Sequence, residues 1–194
     1  MDFKKLRFLS SVFLRAQLPP LKEPEIALLG RSNVGKSSLI NHLSTHKGIA
    51  KVSSTPGKTR SINFYSADDF FLVDLPGYGY AEVSKEERAS WGDDIQHYVQ
   101  NRPVLMLQLV DLRHTPTAQD LECFSWVVQT SKPFIIVFTK ADKLTDNERR
   151  KNCAQNLALL AQKTGLKSLP HVNYSIKESG GRIQLIKEIE KLWD

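Results

Sequence analysis

The sequence predicts a three-layer α/β fold with a mostly parallel sheet and one antiparallel strand. Short apolar runs recur along the chain, helix signals separate them, and polar or glycine-rich stretches follow them. The runs are IALL at 26–29, FFLV at 70–73, VLMLQLV at 104–110, FIIVF at 134–138 and a weaker HVNY at 171–174. Continuous apolar runs of this length are typical of strands buried on both faces, as in a parallel sheet.

The segments between these runs carry helix signals. The predicted helix caps are Ser84 with Glu87, Thr115 with the first-turn proline Pro116, and Thr145 with Glu148. The first of these helices is expected to reach about Gln100. Two apolar stripes predict helix faces that contact the core, namely Leu121, Phe124 and Val128, and Ile183, Ile186, Ile189 and Trp193.

The antiparallel strand is predicted between Ser61 and Asp74. This stretch, SINFYSADDFFLVD, has the pattern of two strands around a tight turn at 67–69. Such a hairpin places one antiparallel strand beside an otherwise parallel sheet.

Length and composition fit one ordinary globular domain. The chain has 194 residues, of which 41% are hydrophobic and 25% are charged. We expect one domain at residues 24–194, preceded by an arm or extra strand at residues 1–23. The stretch FLSSVFL weakly resembles a secretory signal, but Arg15 follows it closely and no small-residue cleavage site is present. No apolar run approaches the ~18 residues of a membrane span, so no membrane association is expected.

The balance of charge is basic, and its distribution is uneven. The net charge is +6, which is compatible with a polyanionic partner. No acidic residue occurs between Ile26 and Ala67, where the basic residues are Arg31, Lys36, Lys47, Lys51, Lys58 and Arg60. Cys123 and Cys153 lie far apart without metal spacing, which favours a reducing cytoplasm and no structural zinc.

A phosphate-binding loop is predicted after the first apolar run. GRSNVGKS fits the pattern G-x-x-x-x-G-K-[ST], with a helix expected to follow. Its predicted nucleotide contacts are Gly30, Arg31, Ser32, Asn33, Val34, Gly35, Lys36 and Ser37. In such a loop backbone N–H groups surround the phosphates, Lys36 reaches the β and γ phosphates, and Ser37 ligates Mg²⁺. A glycine turn that only caps a helix is the alternative.

The stretch DLPG follows the hairpin. Asp74 ends the second strand, where its carboxylate can hold a water bound to Mg²⁺, and the backbone N–H of Gly77 can contact the γ phosphate. Leu75 and Pro76 complete the predicted contacts of this stretch.

The polar connection before the hairpin contains TPGKTR at 55–60. A long loop at this place can close over a metal ion, and Thr59 is predicted as the second protein ligand of Mg²⁺. The predicted nucleotide contacts are Gly57, Lys58, Thr59, Arg60 and Ser61. A plain basic loop without a role in binding is the alternative.

The stretch TKAD predicts a guanine nucleotide. Asp142 can accept hydrogen bonds from the ring N–H and the exocyclic amine of guanine, and the stem of Lys140 can lie along the base. Adenine does not offer this donor pair, so GTP and GDP are the expected ligands. Thr139 and Ala141 complete the stretch, and Tyr174, Ser175 and Ile176 are predicted to bring a backbone N–H to the guanine oxygen.

Three longer stretches carry a resemblance to a known family. GRSNVGKSSLIN at 30–41, TPGKTRSINFY at 55–65 and DLPGYGYA at 74–81 resemble the EngB/YsxC (YihA) family of bacterial ribosome-biogenesis GTPases. DLRHTPTAQD at 111–120 and TKAD also fit, and the resemblance extends from about Pro24 onward. It implies a P-loop GTPase fold, binding of GTP and Mg²⁺, a role in assembling the large ribosomal subunit and a requirement for normal division septum formation. Thr139 stands where most GTPases have asparagine, and Ile176 stands where a small residue is usual.

Tyr78 follows Gly77 at a position where many nucleotide switches carry a glutamine that orients the attacking water. A phenol cannot orient water as a carboxamide does, so slow unaided hydrolysis is predicted, with Lys36, Thr59 and Gly77 as the catalytic groups. Two groups can compensate. One is a K⁺ ion ligated near Asn33, and the other is a group from ribosomal RNA or protein, since arginine fingers in trans contribute ~10³ to 10⁵ in rate.

The expected mechanism is a switch in which GTP and Mg²⁺ order the Thr59 loop and the segment 77–85. The residues expected to contact the large ribosomal subunit, through its RNA or a protein, are Lys47, Lys51, Lys58 and Arg60. Arg113 and His114 are expected to touch the partner, brace the switch or cap the next helix. The expected state is a cytoplasmic monomer. Two other classes stay open: a nucleotide-gated RNA scaffold with negligible hydrolysis, and a P-loop kinase, which displacement of GTP by ATP would favour.

Overall fold

The computed structural model describes residues 1–13, 17–20, 23–46, 48–51, 61–78 and 85–193, with the side chains of 85–92 excepted. The strands are β1 (Arg7–Val12), β2 (Glu25–Gly30), β3 (Ile62–Ser66), β4 (Phe71–Asp74), β5 (Val104–Asp111), β6 (Phe134–Thr139) and β7 (His171–Asn173). The helices are α1 (Lys36–Ser44), α2 (Lys85–Asn101), α3 (Ala118–Gln129), α4 (Asp146–Thr164) and α5 (Ser179–Trp193).

The strands form one sheet in the order β1-β3-β4-β2-β5-β6-β7. Strand β3 is antiparallel to both of its neighbours, β1 and β4. The other neighbouring pairs are parallel. Within the described residues, β3 therefore runs against all the other strands, which confirms the prediction of a mostly parallel sheet with one antiparallel strand. The turn between β3 and β4 is closed by a hydrogen bond from Ala67 N to Phe70 O.

Helices cover both faces of the sheet because alternate residues of a strand point to opposite sides. Ile26 and Leu28 of β2 pack into one cluster with residues of α1 and α5, including Leu39, Ile40, Leu185 and Ile189. Ala27 and Leu29 pack into a cluster on the other face with residues of α2 and α3, including Tyr98, Val99 and Val127. All six residues of β2 are buried. This arrangement confirms the predicted three layers.

One predicted helix cap is wrong and another is confirmed. Helix α3 begins at Ala118 with Thr117 as its cap, two residues beyond the predicted Thr115. Thr117 and Asp120 form a capping box, which Thr115 cannot form because the residue three positions later is alanine. The predicted capping box of Thr145 and Glu148 is present at the start of α4. Ser84 lies outside the described residues.

The two predicted apolar stripes differ in outcome. Phe124 of α3 is fully buried, and Leu121 and Val128 are partly buried against the same cluster, which confirms that stripe. In α5, Ile189 is buried and Ile186 and Trp193 are partly buried, but Ile183 is 53% exposed. The prediction is wrong at Ile183 because the buried face of this helix is set by Leu185 and Ile189, which are four residues apart.

The N-terminal residues add to the edge of the sheet. Strand β1 pairs with β3 along its length, with an irregularity between Phe8 and Ser10. Phe3 and Leu6 precede it and are buried in the core cluster that includes α1. The division into an arm at 1–23 and a domain at 24–194 stays a prediction. Among the described residues, no helix has the length and apolar character needed to cross a membrane.

A buried ion pair lies where β2 begins, at the opposite end of this strand from Gly30. Glu25 is fully buried, and its carboxylate accepts hydrogen bonds from Arg102 Nε at 2.9 Å and from the Tyr98 hydroxyl at 2.6 Å. The guanidinium of Arg102 also donates to the carbonyl oxygen of Pro19 and lies over the rings of Phe64 and Tyr98. The charge of Glu25 is therefore compensated by several contacts.

Candidate nucleotide-binding site

The predicted site residues follow the carboxyl ends of neighbouring strands. Register pairs join Leu28 to Asp74 and Asp111 to Thr139, while Gly30 lies beside Leu109. Strands β2, β4, β5 and β6 are parallel, so their carboxyl ends lie at one edge of the sheet. Open α/β sheets bind ligands at this edge, outside the strand ends.

The loop from β2 to α1 is tightly packed. A Cβ added to Gly30 would lie 2.8 Å from Val34 Cγ1 and 3.1 Å from Leu109 Cβ, so only glycine fits there without a shift. Gly35 immediately precedes α1 with φ of 116°, and Asn33 has φ of 63°. Positive φ at Gly35 is readily adopted by glycine, and it lets the chain turn directly into the helix. A glycine turn at a helix N-terminus is a type of site that binds anions through backbone N–H groups.

Lys36 is the first residue of α1, and its ammonium group folds back over the loop. Lys36 Nζ donates to the carbonyl oxygen of Gly30 at 3.3 Å. Burial lowers the pKa of Lys36, and the nearby carboxylate of Asp74 partly offsets this effect. A partly desolvated ammonium next to a phosphate-binding turn is well suited to a phosphate oxygen.

Asp74 ends β4 and is almost completely buried, with 5% of its surface exposed. Among the described residues, its Oδ1 atom has no hydrogen-bond partner. Burial raises the pKa of Asp74 to about 6, against the opposing effect of Lys36. A buried acceptor without a partner in the described part of the chain is a suitable contact for a water bound to Mg²⁺.

The chemistry of Ser37 and Asp74 fits a magnesium ion that would be bound mainly through a nucleotide. Ser37 lies in the first turn of α1 and can supply a hydroxyl ligand, while Asp74 can hold a water of the ion. Mg²⁺ at this place would neutralise charge between the β and γ phosphates. Thr59, the second predicted ligand, lies outside the described residues.

The segment after Asp74 crosses the phosphate loop at close range. A Cβ added to Gly77 would lie 2.9 Å from Ser32 N and 3.1 Å from Lys36 Nζ. The backbone N–H of Ser32 donates to the carbonyl oxygen of Tyr78 at 3.2 Å, and Arg31 forms a parallel bridge with Tyr78. Leu75 is fixed by a hydrogen bond from its N–H to Leu28 O. The N–H of Ser32 is therefore engaged by the protein itself.

The side chain of Tyr78 is held by β5 and α3. Its hydroxyl donates to Asp120 Oδ1 at 2.9 Å and accepts a hydrogen bond from Gln108 Nε2 at 2.8 Å. Burial, together with Cys123 and Asp120, raises the pKa of Tyr78, so the phenol stays protonated. Burial also raises the pKa of Cys123 to about 12, and this thiol donates to Gln108 Oε1.

Two residues of TKAD contact the phosphate loop directly. The hydroxyl of Thr139 lies 2.8 Å from Val34 O and 3.3 Å from Val110 O, both of which are potential acceptors. Lys140 has φ of 61°, and its ammonium donates to Asn33 O at 3.0 Å and to Asp111 Oδ2 at 2.8 Å. These contacts fix the distance between the phosphate loop and the stretch predicted to bind the base.

Asp142 is oriented by the loop after β7. Its Oδ1 accepts a hydrogen bond from the Ser175 hydroxyl at 3.0 Å, and Lys177 Nζ lies 3.5 Å from Oδ2. Burial favours the neutral acid, but Ser175 and Lys177 outweigh it and lower the pKa of Asp142. Ala141 N donates to Tyr174 O, and Ile176 is 51% exposed. The carboxylate is therefore ionised and kept as an acceptor.

The other predicted residues are distributed around this edge. Ser61 is buried and its hydroxyl donates to Asn63 Oδ1 within the hairpin, while Lys51 is exposed. The guanidinium of Arg113 pairs with Asp111 through two hydrogen bonds, and His114 O accepts one from Asn156. The residues Lys47, Gly57, Lys58, Thr59 and Arg60 lie outside the described ranges.

Sequence reasoning missed Asp111, Gln108 and Asp120 as parts of this edge. Burial opposes ionisation of Asp111, but hydrogen bonds from Arg113 and Lys140 hold the pKa of its carboxyl well below its usual range. Gln108 is the single polar residue within the apolar run VLMLQLV and is fully buried. A polar residue inside a buried strand needs a hydrogen-bond partner, so this pattern could have identified Gln108 from the sequence. No comparable signal in the sequence linked Asp120 to Tyr78.

A phosphate loop between β2 and α1, an aspartate at the end of β4 and TKAD after β6 together define the class of protein, which is that of the P-loop GTPases. A family model described as "50S ribosome-binding GTPase" matches residues 25–140. The GTP-binding protein EngB of Clostridium perfringens is 51% identical over 151 residues, which cover 76% of this chain and 77% of that protein. The chain belongs to the EngB family of GTP-binding proteins.

Other relatives and solved structures agree with this assignment. EngB of Desulforamulus reducens is 42% identical over 196 residues, covering 98% of this chain and 94% of that protein. A crystal structure of an EngB protein has a TM-score of 0.67 at 24% identity, covering 87% of this chain and 97% of that one. A crystal structure of Era with MgGDPNP and a segment of 16S ribosomal RNA has a TM-score of 0.66 at 23% identity, covering 89% of this chain and 57% of that one. These two structural likenesses show the fold.

Proposed function

We propose that this protein is a cytoplasmic, monomeric GTPase that hydrolyses GTP slowly and acts as a switch in assembly of the large ribosomal subunit. The observation that carries the proposal is the direct contact of Thr139 and Lys140 with Val34 and Asn33, because it joins a phosphate loop to a guanine-reading aspartate. The matching family description, "50S ribosome-binding GTPase", supports the large subunit as partner. The requirement for normal division septum formation rests on the family resemblance alone.

The bound nucleotide would lie along the loop from Gly30 to Ser37. Lys36 would leave the Gly30 carbonyl and bind the β and γ phosphates, since a phosphate oxygen is the stronger acceptor. Gly77 would offer its N–H to the γ phosphate, and Mg²⁺ would be held by Ser37 and Thr59. Asp142 would accept from the two donors of guanine, and the stem of Lys140 would lie along the base. The loop Tyr174, Ser175 and Ile176 would supply an N–H to the guanine oxygen.

The environment of Tyr78 supports the proposal of slow hydrolysis. Its hydroxyl is already bonded to Asp120 and Gln108, so it is not free to orient a water. A group of the ribosomal partner or a K⁺ ion near Asn33 would instead stabilise the transition state of hydrolysis. For K⁺, the test is hydrolysis by the pure protein in matched KCl and NaCl at equal ionic strength. Faster hydrolysis in KCl is expected, and equal rates would exclude the cation.

Binding to the ribosome would depend on the nucleotide. The Thr59 loop and the segment 77–85 would be ordered by GTP and Mg²⁺ and released after hydrolysis. The basic residues proposed to contact ribosomal RNA or protein are Lys47, Lys51, Lys58 and Arg60. Such contacts release counterions, so binding should weaken steeply as salt is raised.

Two measurements test this proposal. Calorimetry with GDP should detect binding that is lost in Lys36→Met, while Lys132→Met, which alters a lysine bonded to Arg102 O, should bind normally. Co-sedimentation with large ribosomal subunits should be stronger with a non-hydrolysable GTP analogue than with GDP. Absence of heat with GDP would refute the guanine site, and equal sedimentation in both states would refute the switch.

A nucleotide-gated RNA scaffold is the second candidate, and the engaged hydroxyl of Tyr78 favours it. A scaffold would bind the ribosome in a GTP-dependent way without turning GTP over. Multiple-turnover phosphate release, measured with and without large ribosomal subunits, separates the two. We expect release to be stimulated by the subunits, whereas release that stays negligible in both conditions would favour the scaffold.

A further inference from the structure

We propose that Tyr78 is a positioning residue that couples the γ-phosphate site to the first turn of helix α3, so that this turn reports the nucleotide state. The inference rests on the proposed function, since it concerns how that switch is transmitted. Residues 74–78 are called here the phosphate-sensing segment. Tyr78 is its last residue and has contacts on both sides, through its backbone and through its side chain.

The backbone side of Tyr78 meets the phosphate loop. Tyr78 O accepts from Ser32 N, and a Cβ added to Gly77 would collide with Ser32 N at 2.9 Å and lie in tight contact with Lys36 Nζ at 3.1 Å. Lys36 itself is bonded to Gly30 O. A phosphate that recruits the Ser32 N–H or Lys36 must therefore change these contacts, and the phosphate-sensing segment must adjust with them.

The side chain of Tyr78 meets α3 at its cap. Asp120 Oδ1 accepts from the Tyr78 hydroxyl, while Asp120 Oδ2 accepts from the N–H and the hydroxyl of Thr117. One carboxylate thus joins the phosphate-sensing segment to the capping box of the helix. A displacement of Tyr78 acts on the same group that fixes the first turn of α3.

The network is buried, which favours movement of its members together. Gln108 is fully buried and Asp120 is 4% exposed. Separating the Tyr78 hydroxyl from either partner would leave a buried polar group unsatisfied, and this is unfavourable. A shift of the phosphate-sensing segment is therefore more easily followed by α3 than accommodated by breaking the hydrogen bonds.

There is room for such a movement beside the phosphate loop. A cavity of about 170 Å³ is lined by residues of the loop and by residues before and within α3, including Arg31, Ser32, His114, Thr115 and Asp120. Its walls thus include both residues that Tyr78 joins, Ser32 of the phosphate loop and Asp120 of α3.

Hydrogen exchange of the full-length protein tests the coupling. Amide exchange in residues 117–124 is compared between the GDP and GTPγS complexes of the wild type and of Tyr78→Phe. In the wild type, rates in the two states should differ by about fivefold or more, the low end of usual allosteric couplings, and in Tyr78→Phe by less than about twofold. The matched control is Tyr98→Phe, which removes a buried hydroxyl bonded to Glu25 at the far end of β2 and should keep the wild-type difference.

A second variant tests whether a lost exchange difference in Tyr78→Phe reflects lost coupling and not misfolding. The double variant Tyr78→Phe/Gln108→Leu removes both partners of one hydrogen bond, so that no Gln108 amide donor is left facing the lost hydroxyl, and urea unfolding of both variants checks that they are folded. The double variant should also lose the difference in amide exchange of residues 117–124 between the GDP and GTPγS complexes. A wild type that binds both nucleotides but shows no difference in 117–124, or a variant that keeps the full difference, would overturn the coupling alone. Absence of binding of either nucleotide would overturn the proposed function as well.

Discussion

Thr139 at the end of β6 lies with its hydroxyl 2.8 Å from the carbonyl oxygen of Val34 in the phosphate loop. These residues are 105 positions apart in sequence, and the contact is buried. Most GTPases have asparagine at this position, as the resemblance implies, and the threonine hydroxyl here occupies a contact between the two halves of the site. The contact joins the phosphate loop directly to TKAD.

Removing this hydroxyl should weaken nucleotide binding. Thr139→Val keeps the shape of the side chain but leaves Val34 O without this donor, which costs about 1 to 2 kcal/mol and corresponds to roughly a tenfold loss of GDP affinity. Titration calorimetry with GDP measures the effect. Thr139→Ser, which keeps the hydroxyl, is the control and should bind within about threefold of the wild type. Unchanged affinity of Thr139→Val would show that the contact does not support the site.

Asp142→Asn should change the base that is preferred. The substitution replaces one acceptor by a donor, so GDP should bind at least about 100-fold more weakly because hydrogen bonds to a charged acceptor are lost. Xanthosine diphosphate has a carbonyl where guanine has its amine, so it should bind better to the variant than to the wild type. Competition against a fluorescent nucleotide measures the affinities for GDP and for xanthosine diphosphate. Asp146→Asn, a change at an exposed aspartate of α4, should leave the preference for GDP intact.

Asp74 should make the stability of the nucleotide-free protein depend on pH. Its pKa is about 6 in the folded protein and 3.8 when unperturbed, so the folded state binds the proton more tightly. The favourable contribution is fully present below about pH 4 and is lost as the pH rises through 6, because the folded protein must then carry a buried charge. Over this range it amounts to about 2 to 3 kcal/mol.

Asp74→Asn tests this prediction because the amide does not titrate. In urea unfolding, the variant should gain stability relative to the wild type between pH 4 and pH 7.5 by the same 2 to 3 kcal/mol. It should also lose the tightening of GTP binding by Mg²⁺. If the free energy of unfolding changed with pH by the same amount in both proteins, the assigned environment of Asp74 would be contradicted.

The buried pair of Glu25 and Arg102 should govern stability and not nucleotide binding. Arg102→Met leaves the carboxylate of Glu25 buried without its cation, which should destabilise the fold by about 3 to 5 kcal/mol. The double variant Glu25→Leu/Arg102→Met removes both charges and should recover most of this loss. Urea unfolding measures the stability, and GDP affinity of the folded fraction should be unchanged because the pair lies at the far end of β2. A double variant as unstable as Arg102→Met would refute the argument.

Local patterns predicted much of the fold. Capping at Thr145 with Glu148, the hairpin and the buried strands depend on residues close in sequence, and all are present. The wrong helix cap arose where two neighbouring residues offered similar signals. Thr115 and Thr117 are both possible caps, and only Thr117 has an aspartate three residues later to complete the box.

By itself, the sequence determined the order of the elements and the class of protein, and it predicted the residue types proposed to contact phosphate, metal and base. Each of these depends on short motifs, because a glycine turn or a strand end is set by residues within a few positions of one another. The tertiary structure alone decided that Tyr78 is bonded to Gln108 and Asp120 and that Thr139 contacts Val34. These partners are 30 to 105 positions apart, and only the packing of parallel strands and their helices at one edge of the sheet brings them within hydrogen-bond distance.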